Sequence, residues 1–265
     1  MKFSSNATVF FAASLVTCFV IGSGGEPPEL EKLEAKSLFS DPQVLKLVQA
    51  AEQGDEKTID ELVKQGVDVN AKGRYGVTPL LRCLWAQNKK GYSKLLGHKA
   101  DSNILNERGQ SVMSQAALAD NPFWLDQALK NGGNPNLVNK GSKFNPGETP
   151  LFYAIGNQRT ENAKLLIAAG ADIHHKNEKG YFPLMLAVSR PAYPIAYLLL
   201  EAGADYHQKE PFGGKNAVEW ISGRNLDSIP PHMVDEQGPW YLKTVEWLRN
   251  KGEKIEIRAE KEKGK

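Results

Sequence analysis

The stretch that decides the fold is GETPLFYAIGNQRTENAKLLIAAGAD, residues 147–172. After an initial glycine it places Thr149 before a proline, where the hydroxyl can cap a helix and the proline fits the first helical turn. Apolar residues follow with helical spacing at Leu151, Ala154 and Ile155, and a second apolar run leads to a Gly-Ala-Asp ending. The stretch therefore predicts two short helices joined by a tight turn.

Weaker copies of this stretch lie on both sides of it at a regular spacing. The acidic or amide residue that ends each copy falls at Asp68, Asp101, Asn134, Asp172 and Asp205, with gaps of 33, 33, 38 and 33 residues. The glycine that starts each copy keeps the same period and shows the same insertion of five residues. A helix pair this short cannot bury its own apolar face, so the copies must stack. The spacing predicts an all-α solenoid of stacked helix-turn-helix units.

The repeat resembles the ankyrin repeat, which has a period of about 33 residues and a Thr-Pro-Leu turn. The motifs that carry the resemblance are TPLL at 78–81, TPLF at 149–152, FPLM at 182–185, QGVDVN at 65–70, AGADIH at 169–174, and AGADYH ending at His207. They cover roughly residues 47–207. The resemblance implies an ankyrin-repeat solenoid with capping helices at both ends, and a binding module rather than an enzyme.

The chain divides into four segments on this interpretation. Residues 1–24 are a targeting signal, 25–39 a charged, Pro-led spacer, 40–251 the repeat domain with five to six units including caps, and 252–265 a charged tail. Within the domain, Lys99 stands where the other units carry Gly66, Gly133, Gly170 or Gly203, which predicts a strained or different turn. The five-residue insertion falls within residues 137–146, and insertions in repeat arrays map to loops.

The N-terminus indicates export. Residues 7–21 carry no charge, and the run is about the length of a secretory apolar region but short for a membrane span. Small residues at 22–24 suit cleavage by signal peptidase. Residues 15–18, LVTC, resemble a bacterial lipobox in which Cys18 would be acylated, and an uncleaved anchor is a third interpretation. We expect a periplasmic protein, either released or lipid-anchored to the membrane.

Composition gives little support to nucleic-acid binding or to catalysis. The formal net charge is only +2, and Lys and Arg do not cluster on any predicted helix face. The chain shows no nucleophile elbow, zinc-protease motif, phosphate loop or Cys-x-x-Cys pair, so we expect no enzyme activity and no cofactor. Beyond the signal, Cys83 is the one remaining cysteine, and its place on an apolar helix face favours a buried hydrophobic role.

A metal site is a weaker hypothesis. His174 and His175 are adjacent, and His207 lies one repeat further on. However, His174 and His207 occupy the turn position that Asn70, Asn103 and Asn136 hold in other units, and structural zinc usually needs four ligands. A polar residue that binds the turn backbone is the favoured interpretation, so no metal is expected.

A protein-binding surface is the remaining candidate site. In the ankyrin fold, the loop tips and the exposed side of each first helix form a concave face, and aromatic and arginine residues tend to dominate interface energetics. Trp85, Tyr153 and Tyr181 stand off the apolar stripes. The predicted partner-binding residues are Arg74, Tyr75, Arg82, Trp85, Asn88, Arg108, Gln115, Phe144, Tyr153, Asn157, Tyr181 and Arg190, with Lys72, Leu118 and Tyr193 as further positions of the same face.

The layout also resembles a group of exported bacterial ankyrin proteins that are often encoded beside type VI secretion phospholipase effectors. Residues 39–55, residues 124–139 and the Trp- and Tyr-containing C-terminal cap carry this resemblance. It implies an immunity protein, a monomer that forms a heterodimer with a secreted lipase and blocks it sterically in the periplasm. The alternative is a periplasmic adaptor or stress protein that supports an envelope enzyme such as a catalase.

Overall fold

The computed structural model describes residues 29–140, 146–211, 213–223 and 234–255. Within these ranges the chain forms thirteen α-helices and no strand, which confirms the predicted all-α solenoid. Six helix pairs follow one another, each with a first and a second helix. The helices are α1 (Ala35–Leu38), α2 (Pro42–Gln53), α3 (Glu56–Lys64), α4 (Pro79–Trp85), α5 (Lys89–Gly97), α6 (Val112–Leu118), α7 (Phe123–Lys130), α8 (Pro150–Gly156), α9 (Thr160–Ala168), α10 (Pro183–Ser189), α11 (Tyr193–Glu201), α12 (Ala217–Ser222) and α13 (Val234–Asn250).

Local sequence sets most helix starts. The Thr78 hydroxyl accepts a hydrogen bond from the Leu81 amide at 3.2 Å, as the Thr-Pro motif predicts. Thr149 makes no such capping bond, although proline still opens α8. In the third unit, Ser111 replaces the threonine and forms a reciprocal capping box with Ser114. The helix predicted to open at Pro122 begins at Phe123, whose amide donates to the Asn121 side chain.

The second helices end in left-handed residues at a fixed place in each unit. This residue is Gly66, Gly132, Gly170 or Gly203, and in the second unit it is Lys99 with φ of 66°. The strain predicted at Lys99 is therefore confirmed, because a residue with a Cβ adopts the left-handed conformation there. The assignment of Gly133 to this role was wrong. Gly133 occupies the next position, where a Cβ would lie 2.8 Å from the Ala128 carbonyl oxygen.

Asparagine side chains join consecutive units at these turns. Asn70 accepts a hydrogen bond from the Asp101 amide at 2.8 Å, and Asn103 accepts one from the Asn134 amide at 2.7 Å. Asn136 likewise accepts from the next unit, at 2.7 Å. The backbone-binding role predicted for this turn position is thus confirmed for the three asparagines.

The N-terminal segment is not a spacer where the structure describes it. From Glu29 onward it forms a 3-10 turn and α1, and it buries Leu30, Leu38 and Phe39 against the first unit. The Arg82 guanidinium donates to the Glu31 carbonyl oxygen at 2.9 Å and ties this segment to α4. The prediction for residues 29–39 was wrong because scattered apolar residues in a charged stretch are sufficient to cover the end of a stack. Residues 1–28, including Cys18, lie outside the described residues.

The C-terminal cap is longer than the sequence predicted. The apolar residues Leu242, Val245, Trp247 and Leu248 predict a capping helix over residues 240–251. This helix begins at Val234, and its buried face includes Tyr241, Val245 and Leu248. Leu242, predicted to lie on that face, is 44% exposed. The core also extends beyond residue 251 into the predicted tail, because Ile255 is buried and its carbonyl oxygen accepts hydrogen bonds from the Arg249 guanidinium. Among the described residues, no helix combines the length and apolar character needed to cross a bilayer.

Candidate partner-binding face

Two positions along the first helices carry half-buried side chains beside buried ones. The residues at each position form a series across the units, and we call these two series the concave rows. The fourth residue of each first helix from α4 to α12 is half-buried, whereas the residues beside it on the apolar stripe are buried. This row consists of Arg82, Gln115, Tyr153, Leu186 and Trp220. The seventh residue behaves in the same way from α4 to α10 and gives a second row of Trp85, Leu118, Gly156 and Ser189.

One contact between neighbouring units joins the two rows. The Trp85 indole N–H lies 3.5 Å from the Gln115 side-chain oxygen of the next unit, at the long limit of a hydrogen bond. Trp85 also packs against both apolar clusters of the core. Only part of its ring is therefore available to a partner.

Arg82 and Asn88 have structural roles that the sequence did not indicate. Arg82 Nε lies 2.6 Å from Glu52 Oε1 in the preceding unit. Asn88 caps α5 by accepting from the Gly91 amide at 3.0 Å, and its Nδ2 donates to the Glu52 carbonyl oxygen at 3.1 Å. Both polar groups are already engaged within the protein, so they are weaker candidates for partner contacts.

Two hydrogen bonds are made to Tyr153, which lies in the middle of the face. Asn139 donates from Nδ2 to the Tyr153 hydroxyl, and Asn157 donates from Nδ2 to the Tyr153 carbonyl oxygen at 2.9 Å. The bond to the hydroxyl orients the Tyr153 ring at the centre of its row, and the bond to the carbonyl oxygen holds the Asn157 side chain against α8. Arg190, on the next unit, is exposed, and its guanidinium lies 3.7 Å from the position that a Cβ on Gly156 would occupy.

Glu148 is a partly buried carboxyl group beside these residues. Burial raises the pKa of this carboxyl above its usual range, while the charges of Arg190 and Lys179 and a hydrogen bond from Asn177 act in the opposite direction. The sequence analysis did not single out Glu148, because its burial depends on the stacking of the fourth and fifth units.

The loops before the first helices form one edge of the solenoid, which we call the loop edge. It comprises residues 71–77, 104–110, 138–140, 146–148, 175–181, 208–211 and 213–215. Tyr75 adopts φ of 61°, and the Arg74 guanidinium lies 4.8 Å above its ring. The Arg108 amide donates to Asn106 at 2.9 Å, and the Tyr181 amide donates to Asn177 at the same distance.

Some predicted positions do not belong to the face. Tyr193 is fully buried and stacks edge-on against Tyr241 at a ring distance of 5.1 Å, so its assignment was wrong. Phe144 lies outside the described residues. Among the other predicted positions, Lys72 is exposed on the loop edge and Leu118 is half-buried in the second concave row.

Leu186 and Trp220 complete the first concave row, although neither is among the predicted partner-binding residues. Ala217, Val218, Trp220 and Ile221 predict one apolar helix face. Trp220 is nevertheless half-buried, and Lys215 Nζ lies 5.4 Å from its ring centroid. Alignment of the helix starts identifies both residues. Leu186 lies 33 residues after Tyr153, and the extra residue in the loop before α12 shifts Trp220 to 34 residues after Leu186.

Other chemistry is sparse in the described part of the chain. No group of three or more His, Cys, Asp and Glu side chains that could hold a metal occurs there. His175 Nε2 lies 2.7 Å from the Gly147 carbonyl oxygen, and His207 Nε2 lies 3.3 Å from Glu253 Oε1. Two depressions of about 440 and 450 Å3 lie on the second helices, and neither is lined by a predicted binding residue.

Comparisons with known proteins agree with the repeat architecture. A family model of ankyrin repeats in three copies matches residues 112–210, and a second ankyrin-repeat model, of many copies, matches residues 47–91. An ankyrin repeat protein of Rickettsia felis is 30% identical over 125 residues, which cover 47% of this chain and 40% of that protein. One from fowlpox virus is 31% identical over 131 residues, covering 49% of this chain and 18% of the viral protein.

The similarity also reaches a protein of another description. A mitochondrial disaggregase of Bos taurus is 27% identical over 135 residues, which cover 51% of this chain and 20% of the bovine protein. The chain therefore spans less than half the length of each of these three relatives.

Proposed function

The chain belongs to the ankyrin-repeat family, and on that premise we propose that it is an immunity protein that binds and neutralises a secreted phospholipase in the periplasm. The ankyrin repeats indicate a protein-binding module. The identity of the partner and the periplasmic location are our proposal, and they rest on the layout of the chain and its N-terminal apolar run.

The observation that carries the binding role is the first concave row. Five consecutive first helices present a half-buried side chain at the same position, and two of these, Tyr153 and Trp220, are aromatic. Trp85 adds a third aromatic ring from the second row. Aromatic groups that are held by their neighbours and partly exposed are the usual anchors of protein interfaces. A rigid row of this kind suits a preformed interface, because little side-chain entropy is lost on binding.

The proposed mechanism is steric. The concave rows would contact the lipase around its active-site entrance and exclude its lipid substrate. The protein itself supplies no catalytic step in this mechanism. An interface of standard size, about 800 Å2 on each partner, would require several units of the solenoid. Trp85 and Tyr153 lie on the second and fourth units, so an interface that includes both would span at least three.

In the test, the protein is purified from its own cells, and the secreted fractions are included so that a secreted partner can co-purify. Partners that co-purify are identified by mass spectrometry, and phospholipase activity is measured with and without the protein. Co-purification of a phospholipase whose activity falls on binding is the expected result. A catalase or another envelope enzyme in its place would favour the adaptor alternative, and a phospholipase that stays fully active in the complex would contradict the immunity role.

A pair of variants then tests the face. Trp85→Ala with Tyr153→Ala should weaken binding at least about 100-fold, since each interface anchor typically contributes about 2 kcal/mol or more. The matched control is Tyr197→Ala with Trp240→Ala, because these rings contact each other at 5.7 Å on the second helices. Equal loss of affinity in both double variants would contradict the assignment of the concave rows.

Acylation of Cys18 is tested in a separate experiment. Incorporation of radiolabelled palmitate that disappears in Cys18→Ser would support a lipoprotein. A soluble periplasmic chain with a new N-terminus near residues 22–24 would support cleavage by signal peptidase. The two outcomes leave the proposed interface unchanged.

A further inference from the structure

The loop edge is continuous from the second unit to the sixth. The Glu107 amide donates to the Tyr75 carbonyl oxygen at 3.0 Å, and the Glu178 amide donates to the Pro146 carbonyl oxygen at 3.2 Å. At the remaining junctions, a Cβ on Gly109 would lie 3.0 Å from the Lys140 carbonyl oxygen, and one on Gly180 would lie 3.2 Å from Pro211. Stacking therefore brings loops that are a repeat apart in sequence into one uninterrupted surface.

This surface carries a strong excess of positive charge. Its exposed basic residues are Lys72, Arg74, Lys140, Lys176, Lys179, Lys209 and Lys215, with Arg108 half-buried among them. Its exposed acidic residues are only Glu107 and Glu178, since Glu148 is half-buried and Glu210 is buried. The whole chain has a formal net charge of only +2. The excess on the loop edge is thus a property of this face and not of the overall composition.

The second helices from α3 to α11 show no such excess. Their basic residues are Lys57, Lys64, Lys89, Lys90, Lys94, Lys130 and Lys164, and their acidic residues are Glu56, Asp60, Glu61, Asp126, Glu161 and Glu201. Several of these are paired, as Lys94 is with Asp60 at 2.8 Å and Lys130 with Asp126 at 2.7 Å. Opposite charges on this side largely compensate one another.

We propose that the loop edge recognises an acidic surface of the protein partner. This inference rests on the proposed protein-binding function and adds the charge of the surface that is bound. A cationic rim beside an aromatic face steers an acidic partner into contact and raises the association rate, and it disfavours partners of like charge.

The order of charges along the loop edge favours a protein ligand over a nucleic acid. Glu107 stands directly before Arg108 and Glu178 directly before Lys179, so exposed carboxylates interrupt the row of cations. A continuous phosphate backbone would pass both carboxylates and be repelled by each. A folded protein surface with an acidic excess can place basic groups opposite these two positions.

The experiment uses a chemical probe, so it does not depend on first finding the natural partner. The full-length protein is titrated into a fluorescein-labelled peptide of about 20 alternating glutamate and alanine residues at about 20 mM salt, where surface charges are weakly screened. A thymidine oligonucleotide of similar length and a lysine-alanine peptide are measured in parallel. We expect the acidic peptide to bind, and its affinity to fall at least about tenfold when salt is raised to about 200 mM.

Charge reversal locates the binding. The variant Arg74→Glu, Lys140→Glu, Lys176→Glu and Lys209→Glu should lose at least about tenfold in affinity for the acidic peptide. The control Lys57→Glu, Lys64→Glu, Lys90→Glu and Lys164→Glu changes the net charge by the same amount on the second helices and should retain binding. Thermal unfolding verifies that both variants are folded.

Three outcomes would overturn the inference. These are no binding of the acidic peptide at low salt, equal loss of affinity in the two reversal variants, and binding of the oligonucleotide at least as tight as that of the acidic peptide. Each is distinguishable from failure of the proposed function, because the Trp85 and Tyr153 variant tests the concave rows with the natural partner and leaves every charge of the loop edge in place.

Discussion

Arg82 and Glu52 form an ion pair between the first two helix pairs, with Arg82 Nε 2.6 Å from Glu52 Oε1. Their side chains are only 14% and 21% exposed. The same guanidinium donates to the Glu31 carbonyl oxygen, so one arginine connects the N-terminal segment, α2 and α4. Arg82 lies at the start of the first concave row, and its side chain stabilises the contact between the first two helix pairs.

Arg82→Ala should destabilise the protein. Removing one member of a partly buried ion pair leaves the other charge without its partner, and the free energy of unfolding should fall by about 2 kcal/mol. Arg74→Ala on the loop edge is the control and should change it by less than about 0.5 kcal/mol. Chemical denaturation measures both. An unchanged midpoint for Arg82→Ala would show that the pair contributes nothing.

Lys99→Gly should stabilise the protein. Lys99 adopts φ of 66°, which strains an L-residue with a Cβ, while the five other units use glycine at this turn. Relief of that strain should exceed the extra flexibility of glycine in the unfolded chain and give a gain of about 1 kcal/mol. Gly132→Ala is the reverse experiment, since no atom lies within 4 Å of the added Cβ and only the backbone is affected. Opposite shifts in Tm are expected, and a loss of stability in Lys99→Gly would refute this account.

Asp60 should make the stability depend on pH in the acidic range. Hydrogen bonds from Lys94 and then from His98 hold the pKa of Asp60 below its usual value. A group whose pKa is lower in the folded state stabilises fully above its unfolded pKa, near 3.9, and loses this effect as pH falls through the folded value. Asp60→Asn should therefore lower Tm slightly at neutral pH, and the difference from the wild type should shrink as pH falls below the unfolded pKa and vanish once Asp60 is protonated in the folded state. A difference that does not vary with pH would contradict the ion-pair explanation.

Cys83 should be unreactive in the folded protein. Burial, and to a smaller extent the charge of Glu52, raises the pKa of this thiol to about 12. Its sulfur lies 3.4 Å from the Ala51 carbonyl oxygen, at the junction of the first two units. In a Cys18→Ser background, where Cys83 is the remaining cysteine, labelling by a disulfide reagent at pH 8 should be at least about 100-fold slower than in denaturant. Rapid labelling of the native protein would show that this junction opens easily.

Much of the fold follows from local chemistry that the sequence displays. Thr78 before proline, the helical spacing of apolar residues and the 33-residue period each constrain a helix pair without reference to distant residues. The exceptions were the segments at the two ends. Leu30 and Ile255 are apolar residues flanked by charged ones, and only the exposed ends of the stack give them a surface to cover.

The residues of the candidate binding face were harder to predict from the sequence than the fold. Trp85 and Tyr153 stood out because they depart from the apolar stripe, whereas Trp220 resembled a core residue until the helix starts were aligned. Tyr193 was assigned to the surface, yet it packs against Tyr241, which is 48 residues away in sequence and belongs to the cap. Burial of an aromatic ring depends on what covers it, and a local pattern does not contain that information.

The sequence by itself determined the repeat, its period and the turn residues, because each depends on contacts within one unit. Only the tertiary structure decided which polar residues hold units together, how far Glu148 is buried, and that basic residues from five separate loops meet on one edge. These properties arise between units, where stacking brings residues that are about 33 positions apart into contact. The surface available to a partner is a property of the stack.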